Sequence, residues 1–112
     1  MLGLMDTALP GEEQACIREV LDRYCTRGIR YHALRTRRSG ARRFVSLHLL
    51  VPGAWTVQQG HDLSEEIEAE VHRCLVNITI ETHIEPLEDP RAWRDAALAP
   101  LEQPPGEDAP IR

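Results

Sequence analysis

Histidines stand at positions 32, 48, 61, 72 and 83 of the 112-residue chain, with a glutamate at 85. Imidazole and carboxylate are the usual nitrogen and oxygen ligands of zinc, and three of the one with one of the other make a complete set. His83 and Glu85 lie in a segment where Ile78, Ile80, Thr82 and Ile84 alternate with Thr79, Glu81, His83 and Glu85. In a strand that spacing aims His83 and Glu85 the same way, off the apolar face. His48 falls in Arg42 to Val51, where Val45, Leu47, Leu49 and Val51 must face a core, leaving Phe44, Ser46, His48 and Leu50 on the other side. His32 belongs to the extended segment Ile29 to Arg37. A hairpin turning through Ser39, Gly40 and Ala41 pairs Arg38 with Arg42 and, counting back, sets His32 across from His48; a two-residue loop breaks that register. His32, His48, His83 and Glu85 are therefore expected together on one outer sheet face.

A lone histidine on a strand is ordinarily an exposed or hydrogen-bonded polar residue, so the argument for metal rests on four groups converging. His61 sits at the edge of an apolar helical stripe, where the ordinary role is to cover the end of the sheet. His72 shares its azimuth but stands eleven residues on, about 16 Å along a helix, which excludes a shared ion and leaves His72 facing solvent. Cys16, Cys25 and Cys74 are odd in number and lack CxxC spacing, so neither a disulfide framework nor a thiolate finger is expected. Cys16 and Cys74 read as small buried hydrophobes, and a reducing compartment fits. Trp55 and Trp93 read as packing caps. A glycine-rich phosphate loop, a serine elbow and HExxH are all missing, so the expectation is a binding domain and no enzyme.

The elements that must carry these residues read as two helices, a hairpin and a further strand. Pro10 to Cys25 has Ile17, Val20, Leu21 and Tyr24 at helical spacing and Gly28 to stop it. Thr56 with Gln59 is a capping box ahead of Leu63, Ile67, Val71, Cys74 and Leu75, a second helix weakened by Gly60. A short helix from Asp89-Pro90 to Leu98 is expected, then an acidic, proline-rich tail disordered from about Pro100. The order αββαβ predicts an α+β two-layer sandwich, a three-stranded sheet with two helices on one face. With 42% apolar residues there is material for one core. The net charge of -5 argues against a nucleic-acid surface, and Arg35, Arg37, Arg38, Arg42 and Arg43 read as a solvated hairpin tip. No apolar run reaches the ~20 residues of a membrane span, so no direct membrane insertion of this chain is expected.

Leu4-Met5-Asp6, His32-Ala33-Leu34-Arg35-Thr36-Arg37 with Ser39-Gly40, Phe44-Val45 leading to His48, Gly60-His61, and Thr82-His83-Ile84-Glu85-Pro86 resemble, in order and spacing, the cation diffusion facilitators. The resemblance covers about three quarters of the chain. It implies the cytoplasmic C-terminal domain of a divalent-cation efflux transporter, ferredoxin-like in fold, a homodimer beneath a transmembrane domain, binding regulatory metal near the dimer interface. By position it implies His32, His48, His61 and His83 as metal ligands, with Glu85 where well-known members carry aspartate. Zinc is the expected ion, with manganese, iron(II), cobalt or cadmium as alternatives. Asp6 and Arg37 resemble charged residues of the hinge between domains. Residues 1-9 then read as a remnant of the membrane junction, 10-87 as the metal-binding dimerisation domain and 88-112 as helix and tail. A free-standing metal buffer, or a dimerisation module without metal, stays open as an alternative. An outer sheet face carrying Leu34, Phe44 and Leu50 predicts a dimer even without metal.

Overall fold

Helical spacing of Ile17, Val20, Leu21 and Tyr24 becomes the buried stripe of α1, Gly11–Cys25, in the computed structural model, which describes residues 8–97. Residues 1–7 of the expected junction segment, Asp6 among them, and the tail from Pro100 lie outside the described residues. The remaining elements are β1 (Arg30–Ser39), β2 (Arg42–Val51), α2 (Val57–Cys74), β3 (Ile78–Pro86) and α3 (Pro90–Ala97). Gly28 ends the α1 connection at φ +81°, a conformation that costs glycine nothing. The capping box of α2 is present in both directions, with the Gln59 amide donating to Thr56 Oγ1 at 3.1 Å and the Thr56 amide to Gln59 Oε1 at 2.8 Å. Gly60 has a packing reason, since a Cβ there would meet two methyls of Ile84 at 3.4 Å. Its small size lets α2 lie close on β3.

The sheet order is β1-β2-β3, with β1 antiparallel and β3 parallel to β2. Parallel neighbours need a crossover, and α2 supplies it. Ile17 and Leu21 of α1, Leu63, Ile67 and Val71 of α2, and Val45, Leu47 and Leu49 of β2 bury together in one cluster on one side of the sheet. Leu9 joins the same core. The fold is the expected α+β sandwich.

The hairpin differs from the expectation in two places that cancel. Ser39 pairs with Arg42, so the loop holds two residues, Gly40 and Ala41, and not three. That shift is undone by a β-bulge between His32 and Arg35, with Ala33 at φ 56°, and His32 still faces His48. The bulge also turns Leu34 inward, where it joins the helix-side core, so the expected place of Leu34 on the outer face is corrected. Leu50 is on the outer face but fully buried, as is Ala92 of α3, while Arg37 covers the Phe44 ring at 4.1 Å. The open apolar face from which a dimer was predicted is therefore closed in this protomer.

Two other readings change. Cys16 of α1 and Cys74 of α2 face each other with Cα atoms 6.5 Å apart, a separation a disulfide can span, and are half-buried rather than inert core thiols. Facing stripes on two packed helices brought them together, which spacing along one chain does not reveal. Burial pushes the pKa of the Cys25 thiol up. The hairpin arginines are also not simply solvated, since Arg43 donates to both oxygens of Glu13 at 2.9 and 3.0 Å and ties β2 to α1.

Candidate metal centre

Three strands each place one candidate ligand on the outer face. His32 of β1 pairs across the ladder with His48 of β2, which pairs in turn with His83 of β3, so the three histidines form one row across the sheet. Ring centroids are 5.1 Å apart for His32 and His48 and 4.8 Å for His48 and His83. Glu85, two residues beyond His83 on the same face, turns its Oε2 to 3.3 Å from His83 Nδ1 and 3.6 Å from His48 Nδ1. One ligand atom each from His32, His48 and Glu85 falls within a 4.8 Å span. Such a span fits one ion bonded to all three, and the nitrogen and oxygen donors suit zinc and its neighbours. His83 stands at the open rim, its side chain 65% exposed, whereas His32 is 0% exposed.

His61 lies outside this cluster. It projects from the first turns of α2, 60% exposed, with Nε2 4.0 Å from Glu65. It shares with His48 and His83 a groove that runs around the β3 edge, whose walls also include Glu65, Glu68 and Glu81. Burial and the neighbouring Glu65 push the Glu68 carboxyl above the ordinary glutamate value, against the pull of His72 and His61. The groove is thus an acidic approach to the histidine row. His72 is exposed, as expected.

Trp93 is the contributor that sequence reasoning set aside as a packing cap. It does pack, but on the site: its indole stacks over His32 with centroids 5.5 Å apart and planes 26° from parallel. The Asp89-Pro90 helix signal located α3 without indicating which face it would cover.

Comparison with known proteins identifies the family of the domain. Residues 9–87 match the family model described as cation efflux protein, cytoplasmic domain. The chain belongs to the cation efflux family and carries its cytoplasmic domain. An uncharacterized transporter of Synechocystis, sll1263, is 42% identical over 107 residues, which is 96% of this chain and 34% of that protein. The cation-efflux pump FieF of Pectobacterium atrosepticum is 39% identical over 85 residues, 75% of this chain and 28% of its own. The chain thus spans about a third of the length of the curated relatives it matches. Among solved structures, the metal-bound C-terminal domain of the Thermotoga maritima CzcD transporter superposes with a TM-score of 0.64 at 27% identity, covering 70% of this chain and 92% of that one. The Zn form of CzrB gives 0.64 at 37% identity, covering 73% and 93%. No helix among the described residues is long and apolar enough to cross a membrane.

Proposed function

We propose that this domain is the metal sensor of a divalent-cation efflux transporter, taking zinc on His32, His48, His83 and Glu85 and acting as a homodimer to which His61 contributes across the interface. The observation that carries the reading is the row of three histidines, one per strand, with a carboxylate beside two of them. A bound divalent cation supplies the positive charge that holds these ligands together. His32 and His48 are already in place on an antiparallel pair, so little side-chain order has to be gained on binding. His83 and Glu85 close the set from the far strand, and Glu65, Glu68 and Glu81 draw cations toward it.

His61 cannot join the cluster without crossing the groove, which makes a second protomer its natural point of attachment. Binding that uses ligands from both protomers favours the closely apposed dimer, and closure of the dimer is the signal a membrane domain can read. The relatives' names, an efflux pump and transporters solved with metal or zinc, point to the same class of ion.

Calorimetric titration of the chelator-stripped domain with zinc, manganese and iron(II) tests the reading. Zinc uptake that disappears on replacing His48 and Glu85 supports it. Absence of uptake of all three ions leaves a dimerisation module without metal and sinks it.

A further inference from the structure

The family match ends at residue 87, yet α3, which begins at Pro90, covers the most enclosed ligand of the centre. His32 has His48 beside it in the sheet and the Trp93 indole stacked on its outer side. The indole N–H donates to the carbonyl of Leu87 at 2.9 Å, two residues after Glu85. Leu87 in turn donates its amide to Val51 at the end of β2 at 2.7 Å. One side chain therefore rests on the β1 ligand and grips the chain that leaves the β3 ligand. Ala92 of α3 is buried, as is Leu50 on the outer sheet face, and Asp89 accepts from the Arg91 amide at 2.9 Å to start the helix that carries Trp93.

We propose that Trp93 is a positioning residue of the metal centre, and that α3 is a cap outside the common domain which retains the ion by shutting water away from His32. The role rests on the metal-site reading above. Outer contacts that orient a ligand and exclude solvent set both affinity and exchange at metal sites. A metal-bound imidazole is more electron-poor than a free one, and an indole face attracts it more strongly. Metal and α3 docking therefore favour each other, and by linkage each strengthens the other by the same factor.

The test uses the full 112-residue chain loaded with zinc, with release followed by a chelator chase. Trp93→Ala should release zinc about tenfold faster at unchanged stoichiometry, and Trp93→Phe, which restores an aromatic face, should recover most of the retention. In a Trp55→Phe background the emission of Trp93 should change on adding zinc. Equal release from wild type and Trp93→Ala overturns the proposal, as does an emission indifferent to bound zinc. Should Trp93→Ala fail to fold by circular dichroism, the emission measurement decides alone. Failure of the wild type to take up zinc overturns the site and the cap together, and is told apart because it is read before any release is measured.

Discussion

Glu85 has a side chain only 13% exposed and places one oxygen between His48 and His83, so its loss leaves two imidazoles without the charge that balances a cation. Replacing His83 and Glu85 together by alanine should weaken zinc binding by more than about a hundredfold, since even outer contacts of metal ligands are worth 10–100-fold. The far-UV circular dichroism should not change, because both side chains point away from the helix-side core. Unfolding of the double variant would show that the strand faces are assigned backwards. At this scale most of the site was legible: alternation around Ile78, Ile80 and Ile84 places His83 and Glu85, and alternation around Val45 and Leu47 places His48. His32 was put opposite His48 through a loop length that does not occur. Trp93 was not legible as a site residue, because its partner is sixty-one positions away and no periodicity relates them.

The bulge in β1 shows how a strand reaches the right register by two departures from regularity. Ala33 is the extra residue, held at φ 56° where a side chain costs about 1–2 kcal/mol. Deleting Ala33 leaves Leu34 inward and His32 opposite His48 on a regular strand, and should change stability by no more than about 1 kcal/mol with zinc binding kept. Deleting Thr36 also removes the bulge but turns Arg35 toward the core, which should cost more than about 3 kcal/mol. Denaturant unfolding of the two variants separates these outcomes, and equal losses would refute the assignment of the bulged residue. A second element-scale tie is the Arg43 guanidinium, which holds the Glu13 carboxyl below its ordinary value of 4.5. The pair stabilises the fold above pH 4.5 and stops doing so as pH falls through the lowered value. Glu13→Gln should therefore be less stable than wild type near neutrality, and the difference should shrink as pH falls below 4.5. A gap unchanged by acid would refute the coupling. Elements themselves were legible to within a residue or two, since caps and periodicity are local. The proximity of Cys16 to Cys74 and the inward turn of Leu34 depend on neighbours in space and were missed.

Dimerisation belongs to the whole molecule, and the structure changes the reason for expecting it. Leu34 is in the core, Leu50 is buried and Phe44 is beneath Arg37, so the driving surface is no longer an apolar sheet face. The proposed attachment of a second protomer falls instead at the groove holding His61 with His48 and His83. If His61 serves the partner's centre, zinc must tighten the dimer, by about 2.7 kcal/mol at a hundredfold excess over Kd. Dimer dissociation constants with and without zinc should show that tightening in wild type and its loss in His61→Ala. Equal tightening in both would leave His61 as a residue covering the sheet end. The parallel pairing of β2 with β3 also sets the moment at which the candidate site is completed in a growing chain. His32 and His48 leave the ribosome early and can pair in a local hairpin, but Glu85 arrives only after the whole of α2 has been made. At roughly 5–20 residues per second that interval lasts seconds, during which the nascent chain has His32 and His48 of the row but neither His83 nor Glu85. A ribosome-stalled chain truncated at Asn77 should accordingly lose zinc to a chelator that the finished domain resists.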